Sequence, residues 1–176
     1  MVEELLSSVH GAFALLEGIQ AYLDAFSNFL SRNPQQSGWE ELIAFDNGRA
    51  AGFKRRVKVE LFEGVEISVR DWLVEKDKHR HMDKMYPVGG AFDENKISDT
   101  ERLVTIDFGK NVNSLRNQMA LIEEWLKRIR SSRDINVDIS GVTAWDKINN
   151  SVNKGKLDIQ NLKINLNRIG QLLVEE

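Results

Sequence analysis

The chain has 176 residues, a net charge of -3, 41% hydrophobic and 29% charged residues, and no cysteine. That balance argues against a disordered chain, and the missing thiols exclude a cysteine nucleophile, a cysteine-based zinc site and a disulfide framework. A domain of this size buries roughly two thirds of its surface and needs no covalent or metal staple.

Reading from the N-terminus, Val2, Leu5, Val9, Ala12, Leu16, Ile19, Leu23, Phe26 and Leu30 recur in steps of three and four, the period of a heptad seam. They predict a helix over 2–32, about 45 Å long at 1.5 Å per residue. Leu6, Phe13, Leu15, Tyr22 and Phe29 widen the apolar face, so the helix meets more than one neighbour. Asn33 before Pro34 stops it, because the residue preceding a proline is pushed out of the helical region. A short turn or helix around Trp39 follows. The period then drops to two: Val57, Val59 and Leu61 alternate with Arg56, Lys58 and Glu60, and Val65, Ile67 and Val69 alternate with Glu66, Ser68 and Arg70. Two strands joined at Phe62-Glu63-Gly64 are expected, with a third over RLVTIDF, 102–108, ended by Gly109. Residues 75–101 between them lack periodicity and read as a long insertion loop.

Three-four spacing returns at Val112, Leu115, Met119, Ile122, Leu126 and Ile129. It predicts a second helix over 111–133, with Asn111 as its N-cap. Lys127, Arg128, Arg130 and Arg133 complement the dipole at its end. INVDIS, 135–140, is a short strand or a link. Trp145, Ile148, Val152, Ile159, Leu162, Leu166, Ile169 and Leu173 mark a third helical segment, entered by Thr143 with Asp146 as a capping pair. Gly155 leaves open a kink, or two helices in place of one.

The expected fold is α+β and mainly helical: three long heptad-patterned helices packed as a bundle, with a three-stranded antiparallel meander inserted after the first. One domain spans 1–176, comprising the helix 1–33, the meander 52–110 with its 75–101 insertion, and the helical region 111–176. No apolar run approaches the ~20 residues that cross a bilayer, and Met1 is followed by Glu3 and Glu4. A soluble, cytoplasmic protein without a membrane partner is expected.

Candidate chemistry is sparse. His79 and His81 stand one residue apart with Asp77 and Asp83 beside them, a spacing that suits a metal held by an extended segment. Lys76, Lys78, Arg80 and Lys84 interleave with those ligands and oppose a cation. The stretch therefore reads as a solvated contact loop, with a metal-dependent hydrolase as the third-ranked reading. Lys54, Arg55, Arg56 and Lys58, together with Arg49 and against Glu60, give 47–62 a net charge of +4, against -6 over 1–46. With Lys76 and Lys78 they form the rim for a nucleic-acid alternative, although pairing with Glu60 and Glu66 would neutralise it. The order helix, three strands, helix is similar to that of PD-(D/E)XK metal-dependent nucleases. Asp107 and Lys110 have the wrong spacing for that site, and Glu94-Asn95-Lys96 falls in the loop. No phosphate loop, dinucleotide fingerprint or nucleophile elbow is present, so no cofactor and no small-molecule substrate is expected. Trp125 and Trp145 lie on helix seams, whereas Trp39 and Trp72 are candidate interface anchors alongside His79, Arg80 and His81. The leading expectation is a non-enzymatic interaction or assembly subunit whose long amphipathic helices dock on another protein or a second copy.

Overall fold

The structure is a computed structural model describing residues 2–32, 38–80 and 99–175, the side chains of 77–80 and 99–103 excepted. Helix α1 (Val2–Leu30) is followed by the short α2 (Trp39–Asp46) and then α3 (Arg49–Arg56). From α3 the chain runs without a break through a π-helical segment (Val57–Ile67) into α4 (Ser68–Arg80). Helix α5 (Asp99–Ser132) comes next, then the two-residue strands β1 (Asp138–Ile139) and β2 (Val142–Thr143), and finally α6 (Ala144–Val174).

The expected meander is absent among the described residues: 49–80 is one helical rod, and 102–108 belongs to α5. Its alternation has a helical explanation. Val57, Leu61, Val65, Val69 and Leu73 are all buried, whereas Val59 and Ile67, at the other odd positions, are 54% and 39% exposed. Burial recurs every fourth residue, between the 3.6 of an α-helix and the wider turn of a π-helix. Four is a multiple of two, so a wide-turned helix mimics a strand. The charges expected to pair across strands pair along the helix instead: Arg56 Nε is 3.1 Å from Glu60, and an Arg70 nitrogen is 3.8 Å from Glu66, both four residues apart. In the 102–108 stretch Val104 and Phe108 are buried and extend the Val112, Leu115 series backward. Packing overrides the β propensity of its residues, and Asn111 lies inside the helix rather than capping it.

Side-chain partners set the directions of the four long rods. Asn111 meets Asn165 and Ser114 meets Asp158, so α5 and α6 run antiparallel. Gln20 meets Lys163 and Asp24 meets Lys156, so α1 and α6 do too. Lys54 meets Glu123 and Phe62 meets Arg116, which makes the 49–80 rod antiparallel to α5. With the π-helical segment packed on α1, the rods close a ring around one apolar cluster. In this up-down-up-down arrangement the 49–80 rod and α6 stand on opposite sides.

Local chemistry explains the ends and close approaches. Asn47 and Gly48 take left-handed conformations between α2 and α3. Thr143 Oγ1 accepts from the Asp146 N–H at 3.2 Å, giving α6 the expected cap. The only strand pairing among the described residues is β1 with β2, a two-residue hairpin before α6. Helix α6 runs through Gly155 unbroken. An added methyl there would stand 3.0 Å from Leu23 Cδ1, so the glycine lets α6 approach α1.

Candidate functional site

Several expected site residues lie in places that alter their roles. Trp72 is 4% exposed, inside the core, with Lys76 Nζ 4.9 Å above its ring. Trp39 is half-buried against the same core. Arg80 and His79 end α4, with their side chains outside the description, and His81 lies outside the described residues. The Lys78 side chain also lies outside the described residues, and of the expected 75–101 loop residues 75–80 belong to α4 and 99–101 to α5. No cluster of three metal-ligating side chains occurs among the described residues.

The basic rim is partly spent on neighbours. Lys54 Nζ is 2.6 Å from Glu123, whose carboxyl is held below its ordinary range chiefly by that hydrogen bond, and Arg56 pairs with Glu60. Arg55 and Lys58 extend toward solvent. A third feature near this end is an aromatic cluster of Tyr22, Phe26, Phe29, Phe45 and Phe53, with the Arg49 guanidinium 5.4 Å from the Phe45 ring centre. Tyr22 donates its hydroxyl to Asp46 Oδ1 at 2.5 Å, and Asp46 also accepts from the Ala50 and Gly48 N–H groups. These contacts join α1 to the α2–α3 turn and are structural.

The least explained surface is the seam between α5 and α6. Its floor is polar: Asn111 Nδ2 donates to Asn165 Oδ1 at 2.8 Å, and Ser114 Oγ donates to Asp158 Oδ2 at 2.6 Å. Asn165 and Asp158 are both 7% exposed. Burial pushes the Asp158 carboxyl above its ordinary range, against the opposing effects of the Ser114 hydrogen bond and the Lys154 charge. Above the floor opens a cleft of about 350 Å³ lined by Asp107, Lys110, Asn111, Asn161, Ile164, Asn165 and Arg168. Ile164, in this lining, is 54% exposed, and Leu157, seven residues earlier on α6 and outside the lining, is 58% exposed.

Helical spacing builds this arrangement. Lys110 and Asn111 follow Asp107 by three and four residues, and Ile164, Asn165 and Arg168 follow Asn161 by three, four and seven, so each set shares a face. The antiparallel register then brings the two faces together. Sequence reasoning missed the cleft because it followed apolar spacing alone. A polar signal was present: α6 carries six asparagines, Asn149, Asn150, Asn153, Asn161, Asn165 and Asn167, although asparagine competes with the helix backbone for hydrogen bonds.

Two other concavities are apolar or small. A groove of about 490 Å³ between the start of α1 and the end of α6 is lined by Leu6, Val9, Phe13 and Leu166, with His10 at its edge. A 190 Å³ recess lies among α2, α3 and α5. No described helix is long and apolar enough to cross a membrane. Compared with family models, curated proteins and solved structures, the chain matches none.

Proposed function

We propose that the chain is a non-enzymatic interaction or assembly subunit that docks on another protein or a second copy through its long helices. The observation carrying this reading is the pair Leu157 and Ile164. Two aliphatic side chains more than half exposed at a seven-residue spacing fall on one face of α6. Scattered surface aliphatics need no explanation, but two aligned on one rigid helix suit the anchor positions of helix-on-helix docking. The nucleic-acid alternative has less support, because carboxylates already engage Lys54 and Arg56.

Light scattering on the natively purified protein, with identification of co-eluting chains, tests the reading. A dimer or a stoichiometric partner is expected, lost in the Leu157→Glu, Ile164→Glu double variant while the melting temperature is kept. A lone monomer at micromolar concentration that binds no apolar dye would reject it.

A further inference from the structure

The α5–α6 cleft has donors that the fold itself does not use. Asn165 is 7% exposed, and its carboxamide oxygen is occupied by Asn111. Its Nδ2 group has no acceptor among the described residues, yet it is not sealed from solvent. Since Asn165 lines the cleft, this amide is a donor available there. Asn161 lines the same wall with a second carboxamide. Lys110 enters from α5 and Arg168 from α6, and neither has an ion pair among the described residues. Asp107 is the one acid in the lining, so the cleft carries a net +1.

We infer that this cleft binds a small oxyanion, a carboxylate or a phosphate monoester, through Lys110, Arg168 and the amide groups of Asn161 and Asn165. Cationic and amide donors converging on one concavity complement an acceptor-only group, and charge-assisted bonds from the guanidinium give such a group a fixed orientation. Ile164 on the lip gives a short hydrocarbon attached to the anion an apolar contact. The volume admits a small ligand. This site shares Ile164 with the docking pair but holds its anion through polar groups, and Leu157 lies outside its lining.

The test is a ¹⁵N–¹H NMR titration of the full chain with acetate, butyrate and ethyl phosphate, ionic strength held constant with sodium chloride. Saturable shifts centred on the Asn161 and Asn165 side-chain amides and the Arg168 Nε–H are expected with at least one of these anions. Between acetate and ethyl phosphate the tighter ligand identifies the oxyanion, and tighter binding of butyrate than acetate locates the apolar contact. The Lys110→Gln, Arg168→Gln double variant, altered only at exposed positions, should weaken binding about tenfold or more. Asp107→Asn should strengthen it. Non-saturating, scattered shifts with all three anions, or binding unchanged in the double variant, would overturn the proposal. Leu157→Glu alone, outside the cleft lining, separates the two readings: weakened partner docking with anion saturation retained is expected, and loss of saturation there also counts against an independent site.

Discussion

Asp46 supports three groups at once: the buried Tyr22 hydroxyl and the N–H groups of Gly48 and Ala50. Replacing it with Ala removes a cap worth about 1 kcal/mol and strands a buried phenol at a further cost of roughly 1–3 kcal/mol. A loss of about 2–4 kcal/mol in urea denaturation is expected, whereas Tyr22→Phe, which leaves both backbone bonds intact, should cost about 1 kcal/mol. Burial pushes the Tyr22 hydroxyl far above its usual 10.0, reinforced by the Asp46 charge and only partly opposed by Arg49. A group whose folded value exceeds its unfolded one stabilises fully below the unfolded value, and that contribution disappears as pH rises. Above about pH 10 the protein should therefore lose stability, with Tyr22 phenolate absorbance appearing only on unfolding.

At the scale of elements, the 57–69 stretch shows where sequence patterning misleads and how to test the result. A strand would place Val59 and Leu61 on one face with equal weight. In the helical rod Leu61 is fully buried and Val59 is 54% exposed. Leu61→Ala should cost about 2–5 kcal/mol, while Val59→Ala stays within about 0.5 kcal/mol; equal losses on thermal melting would restore the strand reading. The long helices at either end of the chain were legible because their apolar residues recur over many turns. The middle of the chain was not: β-branched residues spaced by two satisfy a wide helical turn equally well, and only the packing partners on α1 and α5 decide between them. The candidate cleft was illegible for a related reason. Lys110 and Arg168 belong to different helices, and no local spacing announces their meeting.

Glycines make a second element-scale contrast. At Gly155 a methyl group would meet Leu23 Cδ1 at 3.0 Å, and Leu23 is fully buried and cannot yield cheaply. At Gly11, on the exposed side of α1, nothing lies within 4 Å. Gly11→Ala should therefore stabilise the protein by about 0.5–1 kcal/mol through helix propensity. Gly155→Ala should lose about 1–3 kcal/mol despite the same propensity gain, because overpacking separates α6 from α1. Melting the two variants side by side measures the closeness of that approach.

For the whole molecule, two partly buried acids on opposite sides of the bundle govern the response to pH. Glu66 on the π-helical segment lies against α5, where its Oε1 would be 2.7 Å from a methyl group added at Gly109. Burial pushes its carboxyl above the ordinary range although Arg70 and Arg116 oppose this, and burial does the same to Asp158. Each group holds its proton more tightly folded than unfolded, so the stability it contributes is complete below its unfolded value, 4.5 for Glu66 and 3.8 for Asp158, and falls as pH rises through the folded value. Ionising either one in the folded state costs free energy. Glu123 works in the opposite direction: the Lys54 hydrogen bond lowers its carboxyl, and that contribution is lost as pH falls below 4.5. With Lys54 43% exposed, solvent screening limits the pair to about 1 kcal/mol at most. The two raised carboxyls should therefore make the wild-type protein gain stability as pH falls from 7, and Glu123 should make it lose stability below 4.5. Glu66→Gln and Asp158→Asn preserve shape and the Ser114 bond while removing the buried charges, so each should raise stability at pH 7. Their combination should flatten the rise below pH 7 and leave the acid limb intact. Urea midpoints at half-unit pH intervals measure both limbs, and a double variant retaining the wild-type rise would assign that rise to other groups.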